Sequence, residues 1–283
     1  MPFCTSKQML LDAQAGHYAV GAFNVENMEM AQAAVWAAEA LRAPVILQVS
    51  VSTAKFTGFE MICAMARALA EQATVPVALH LDHGDKLESL EHALRCGFPS
   101  VMIDSSKLPF EENLAMARAA VRLAEPFGVP VEAELGKVGG KEDDVVATGA
   151  PVYTDPDEAV CFSASGIDAL AVAIGTAHGW YAATPKLDVD RLSAVAQVVR
   201  IPLVLHGSSG LSDDAVRECV ARGICKVNFA TELRQVFTDS LRTAFAEHPK
   251  DFDPKVFLKP ARAAVQAQVE DRIRVCGCDG KAN

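Results

Sequence analysis

No apolar stretch of this 283-residue chain approaches the roughly 20 residues needed to cross a bilayer. No membrane partner is expected. The opening MPFCTSKQMLLDAQ lacks the charged-then-apolar pattern of a secretory signal, which points to the cytoplasm. Basic residues are in deficit: 26 Lys and Arg against 36 Asp and Glu leave a formal charge of −10. That balance argues against a nucleic-acid partner, although a phosphorylated metabolite needs only a few backbone N–H groups and one or two cations. A Pro/Gly/Ser-rich linker is also missing, so residues 1–283 read as one domain. Cysteine is present, with eight residues, but no disulfide framework is. Cys63, Cys96 and Cys225 sit in apolar runs and read as buried free thiols. Cys276 and Cys278 are too closely spaced to suit one zinc ion, and their role stays open.

What the chain does have is alternation. Short apolar β-forming runs occupy 19–25, 44–50, 75–81, 99–104, 129–135, 169–175, 201–206 and 225–230. Helically spaced segments such as 28–42, 87–95 and 111–125 lie between them. Pro44, Pro76, Pro130 and Pro202 stand where four of these runs open, a place where no ladder donor is lost. Continuous Val/Ile/Leu character predicts strands buried on both faces, as in a parallel sheet.

Eight such units in roughly 250 residues fit a (β/α)8 barrel, an α/β TIM-barrel fold; an open doubly wound sheet is the competitor. Polar residues close almost every run: Asn24, Ser50, Asp82 with His83, Asp104, Glu134, His178, His206 and Asn228. A closed barrel gathers all of these at one mouth, whereas an open sheet concentrates its site at one switch point. The barrel is the better reading, with a C-terminal helical extension from about residue 248 packed outside.

His83, His178 and His206 each follow an apolar run, and three converging imidazoles make a metal site. Zinc is the natural ion, with cobalt or manganese as substitutes. Asp82 sets a proton-transfer group beside it. His80 lies deeper in its strand, and His17, His92 and His248 read as solvated. Glu132 and Glu134 share one strand face: one can ligate while the other orients an imidazole, or Glu132 can belong to an interior hydrogen-bond network. Asp104 and Glu132 are placed behind the ligands, supporting them. The Gly-rich charged segment 136–150, with Gly139 and Gly140 as hinges, can deliver Glu142 over the mouth, or it is simply a solvated acidic turn. Gly207-Ser208-Ser209-Gly210 and Asn228-Phe229-Ala230-Thr231 follow strands seven and eight, where barrel enzymes commonly hold phosphate.

These residues, in this order, resemble the class II, metal-dependent ketose-bisphosphate aldolases. The similarity rests on GAFNVEN (21–27), HLDHG (80–84), SVMIDSS (100–106), EAELGKVGGKEDD (132–144), AIGTAHGWY (173–181), LVLHGSSGL (203–211) and KVNFATEL (226–233). The resemblance implies one catalytic zinc on His83, His178 and His206, with Glu134 at a second, inactive metal position. It implies Asp82 as the proton donor to the aldehyde oxygen and Glu142 as the acid/base on the carbanion side. Gly179, Gly207, Ser209, Asn228 and Thr231 would hold the phosphate of dihydroxyacetone phosphate, and a monovalent cation (Na+ or K+) often sits nearby. Asn24 and Ser50 join the substrate-binding set, and a homodimer or homotetramer is expected.

The sugar stays open. Ala230 and Ala182 resemble the tagatose-1,6-bisphosphate branch. LKPARAAV (258–265) is similar to the fructose branch, whose arginine, here Arg262, reaches the distal phosphate of a neighbouring subunit's substrate. Another anionic ketose 1-phosphate, such as a sulfonated sugar, also fits. Two rivals remain: an aldolase using Lys226 as a Schiff base, and a non-catalytic barrel subunit that supports a partner enzyme.

Overall fold

The computed structural model describes residues 3–142, 145–146 and 152–282, with 141, 142, 145 and 146 described as backbone only. Eight parallel strands close on one another: β1 (Val20–Asn24), β2 (Val45–Ser50), β3 (Val77–Gly84), β4 (Ser100–Ile103), β5 (Val131–Leu135), β8 (Ala169–Val172), β10 (Leu203–Leu205) and β11 (Ile224–Phe229), which pairs back onto β1. Among the described residues three short strands lie outside the barrel, β6 (Gly139–Glu142), β7 (Val145–Val146) and β9 (Ala177–His178). The (β/α)8 fold is therefore as expected from the alternation.

Each of the four prolines sits one residue before its strand, and three of their carbonyls still accept from the neighbouring strand: Pro76 from Val45, Pro130 from Val101 and Pro202 from Leu170. The missing N–H thus costs the ladder nothing. Around the barrel run α1 (Ser6–Gly16), α2 (Met28–Leu41), α3 (Val51–Thr57), α4 (Phe59–Gln72), α5 (Leu87–Cys96), α6 (Phe110–Ala124), α7 (Pro156–Ser163), α8 (Val189–Val198), α9 (Asp213–Ala221), α10 (Thr231–Glu247) and α11 (Pro254–Cys276). α11 is the predicted C-terminal extension, packed against α2 and α10. Side-chain oxygens of Asn27, Ser50, Asp155, Asp188, Ser212 and Asp253 cap six of these helices. Among the described residues no helix is long and apolar enough to cross a membrane.

Strand register places the polar side chains in layers inside the barrel. Asn24 pairs with Gln48, Gln48 with His80, and Ser50 with Asp82. Glu132 and Glu134 of β5 and Lys226 and Asn228 of β11 are buried as well. Two layers result: a lower one of His80, Glu132 and Lys226, and an upper one at the mouth.

Candidate active site

Successive residues of a regular strand point to opposite faces, so Asp82 and His83 should not both serve one mouth. The register between β3 and β4 shifts between Leu81 and Gly84, and His83 adopts a left-handed conformation, φ 46°. This bulge turns the imidazole back over the mouth beside Asp82. A non-glycine residue held in that region stores strain, and such strain clusters at functional sites.

His178 does not close its barrel strand, contrary to the expectation. β8 ends at Val172; Gly175, with φ 103°, turns the chain, and His178 sits on β9 six residues later. β9 pairs in parallel with β6, Gly140 opposite His178, so the segment carrying Glu142 is tied to the imidazole's own backbone. Gly140 has φ 89°, and a Cβ there would meet the His178 carbonyl oxygen at 2.1 Å. Only glycine permits that approach. The side chain of Glu142 lies outside the described residues. His206 follows β10 directly, and Gly207 then turns the chain at φ 66°. Tyr181 fastens the two loops together: its hydroxyl accepts from the Ala177 N–H (2.8 Å) and donates to the Gly207 carbonyl (2.6 Å).

The three imidazoles converge. Ring centroids lie 4.6 Å (His83–His206), 5.0 Å (His83–His178) and 6.1 Å (His178–His206) apart, with one ligand nitrogen from each within 4.8 Å of the others. His83 Nδ1 faces Asp104 Oδ2 at 2.9 Å, and His206 Nε2 faces Glu132 Oε1 at 2.8 Å. Carboxylates accept, so both of those nitrogens carry the proton. The remaining nitrogens, His83 Nε2 and His206 Nδ1, then point lone pairs at each other across 2.9 Å. Burial and the neighbouring imidazoles hold His178 well below its ordinary value, and burial lowers His206 too. Neutral imidazoles with facing lone pairs need a cation between them, so the donor set fits a divalent ion. Glu134 adds a second set with His83 and Asp104. Its Oε2 is buried without a hydrogen bond, and burial together with Asp104 pushes the carboxyl up to about 8.

Asp82 sits beneath this cluster. Amide groups of Asn24 (2.9 Å), Asn228 (3.3 Å) and Gln48 (3.4 Å) donate to its oxygens. Burial alone would raise its carboxyl, but positive charge centred on the His83–His206 cluster and on Lys226 outweighs it and brings it to about 2. Lower in the barrel, Lys226 Nζ is paired with Glu132 Oε2 at 2.9 Å, so its nitrogen is committed below the metal ligands. His80 bonds Ser100 there at 2.6 Å and is no ligand of the upper cluster.

Asn24, Asp82, His178, Gly179, Gly207, Ser209, Asn228 and Thr231 line one cleft. Ser208, Ala230 and Arg234 complete its wall. The Ser209 hydroxyl accepts from the N–H groups of Ala230 (3.3 Å) and Glu232 (3.4 Å), joining the loops after β10 and β11. Two expected residues stand apart from the cleft lining. Ser50 caps α3, accepting from Thr53 N–H at 3.3 Å. Arg262 donates to Gln32 Oε1 at 2.6 Å and covers the Trp36 ring at 4.5 Å, against α2. Gln48, Tyr181 and Arg234 escaped the sequence reading. The one signal for Arg234 was its place in the first turn of the helix that follows Thr231.

Comparison with known proteins agrees with this geometry. The sequence model of the family described as fructose-bisphosphate aldolase class-II matches residues 4–281. The chain belongs to that family. As a class II aldolase it is an aldehyde-lyase, and its relatives share the whole architecture. The YdjI aldolase of Escherichia coli K12 is 37% identical over 99% of this chain and 100% of its own, with a TM-score of 0.88. A Coccidioides immitis structure, described provisionally as a fructose-1,6-bisphosphate aldolase, is 31% identical over 97% of this chain and 96% of its own, TM-score 0.89. The fructose-bisphosphate aldolase of Campylobacter jejuni, 24% identical over 99% and 97% of the two chains, shares the fold at a TM-score of 0.85.

Proposed function

We propose that this aldolase reversibly cleaves a ketose 1,6-bisphosphate, the tagatose or the fructose sugar, to dihydroxyacetone phosphate and glyceraldehyde 3-phosphate. The observation that carries the reading is the facing pair of imidazole lone pairs set directly above the amide-held Asp82. His83, His178 and His206 hold one zinc ion, and Glu134 offers a second, resting position. When bound, the ion supplies a Lewis acid for the negative charge that develops on the sugar oxygens.

Asp82 does the proton work at oxygen. In cleavage its carboxylate takes the proton of the C4 hydroxyl as the C3–C4 bond breaks, and in condensation it returns that proton to the aldehyde oxygen. The three amides, two on Oδ2 and one on Oδ1, hold the plane of the carboxylate. Glu142, on the strand tethered to His178, protonates the carbon left behind, and closure of that hairpin excludes water. Gly179, Gly207, Ser209, Asn228 and Thr231 cradle the phosphate with N–H and hydroxyl donors, with Asn24 beside them. Arg234 adds a guanidinium at the rim, where Glu26 holds it at 2.6 Å. A monovalent cation at the phosphate, a cytoplasmic setting and a homodimer or homotetramer complete the reading.

One observation favours an alternative substrate, another anionic ketose 1-phosphate such as a sulfonated sugar. Arg262, the residue expected at the distal anion, is engaged by Gln32 and Trp36 of its own chain, and a guanidinium accepts a sulfonate or carboxylate as readily as a phosphate. Steady-state kinetics with fructose-1,6-, tagatose-1,6- and sulfonated ketose phosphates side by side test the assignment. A bisphosphate should give the highest kcat/KM; the sulfonated sugar winning would install the alternative, and no cleavage of any of them would overturn both.

A further inference from the structure

One group of donors is left over by the reaction. α4 and α5 pack side by side on the outer ring. Glu60 stands in the first turn of α4, while His92 and Cys96, four residues apart, share one face of α5. A carboxylate oxygen, an imidazole nitrogen and the thiol sulfur from these three all lie within 4.8 Å of one another. None of the three lines the cleft at the barrel mouth.

The geometry is held from several sides. The His92 ring stacks on Phe59, centroids 4.3 Å apart and planes 17° apart, which aims its Nε2 at Glu60 Oε1, 3.1 Å away. Cys96 is the last residue of α5, at the negative end of the helix dipole, which favours a cation. The Cys63 thiol donates to the Cys96 carbonyl at 3.1 Å and fixes that turn against α4. The Cys96 thiol also hydrogen-bonds Glu60, so all three donor atoms already converge on one point, a thiol besides the two partners that a plain surface ion pair needs.

We propose that Glu60, His92 and Cys96 form a second metal site, on the outside of the barrel. Its mixed oxygen, nitrogen and sulfur donors suit a borderline-soft divalent ion, Zn2+ with Co2+ or Cd2+ as congeners, and disfavour Mg2+ and Ca2+. Three protein ligands leave the fourth tetrahedral position to water. The ion clamps α4 to α5, which flank β3, the strand carrying Asp82 and His83.

Cobalt distinguishes this site from the one at the mouth, because only the outer site offers a thiolate. Metal-stripped full-length protein titrated with Co2+ should take up two ions per chain, with a near-ultraviolet sulfur-to-cobalt charge-transfer band accompanying one of them. Cys96→Ser and, separately, His92→Ala should abolish that band and drop the stoichiometry to one, while their aldolase turnover with zinc at the mouth stays unchanged and reports that they fold. His206→Ala should keep the band. Absence of the band in the parent protein, its survival in Cys96→Ser or His92→Ala, or its loss in Cys161→Ser instead would overturn the proposal.

Discussion

His83 Nε2 and His206 Nδ1 face each other at 2.9 Å while Asp104 and Glu132 hold the protons on their opposite nitrogens. Two carboxylates thus dictate two tautomers, and the tautomers create a gap that only a cation fills well. Replacing Glu132 by Gln keeps the shape but weakens that control, and it also leaves the Lys226 ammonium without its carboxylate. Zinc affinity should fall by about 10–100-fold, the usual effect of removing such a partner, as read by competition with a chromophoric chelator. Unchanged affinity would mean that the carboxylate does not set the His206 tautomer.

Asp82 and the imidazoles should separate cleanly in mutants. Asp82→Ala is expected to keep its zinc and lose about 10²–10⁴-fold in turnover, the range for an acid/base group. His206→Ala is expected to lose metal and activity together. Metal analysis paired with kcat on both variants makes the comparison, and a zinc-replete His206→Ala protein would refute the ligand assignment.

The Lys226–Glu132 pair is fully enclosed, so removing one partner strands the other. Lys226→Met should destabilise the protein by about 3–5 kcal/mol in urea unfolding. Adding Glu132→Gln should restore most of that, because the double variant buries no unpaired charge. The same pair of variants tests the Schiff-base rival: Lys226→Met should retain borohydride-insensitive turnover if it folds with its metal.

Buried thiols give the chain an alkaline weakness. Burial pushes Cys219 up to about 12, Cys225 to about 11 and Cys278 to about 12. Their folded values exceed the unfolded one near 9.0, so the unfolded chain releases these protons first. The stability contributed by the protonated thiols is complete below pH 9 and declines as pH rises toward 11–12. Each thiol should cost about 1.4 kcal/mol per pH unit within that window. Urea midpoints for the parent and for Cys219→Ala at pH 8 and pH 10 read the difference; a parent midpoint that holds level from pH 8 to pH 10 would contradict it.

Tyr181 joins the loops of His178 and His206 through one hydroxyl. Tyr181→Phe removes both bonds and leaves the ring. A stability loss of about 1–2 kcal/mol is expected, with a rise in KM for the phosphorylated sugar exceeding any fall in kcat. Equal KM values would assign Tyr181 to folding alone.

The barrel was legible because its strands are continuous apolar runs, four of them marked by a proline one residue upstream. Asp82, His83, His206 and the Gly207–Gly210 loop were legible for the same reason: strand ends of a closed parallel barrel share one mouth. The position of His178 was misjudged because AIGTAH continues an apolar pattern; Gly175 breaks the strand through its φ of 103°, which no hydrophobic period reveals. The bulge at His83 is equally silent in sequence. Gln48 was hidden in a strand that reads as wholly apolar, and the Lys226–Glu132 pair joins positions 94 residues apart. Pairings across a barrel interior depend on shear and register, and local composition carries neither.

Metal dependence is the central claim, and chelation tests it most directly. Protein dialysed against a strong chelator should show no aldol cleavage, and stoichiometric Zn2+ should restore it in the parent but not in His206→Ala. Full turnover by demonstrably metal-free protein would contradict the account.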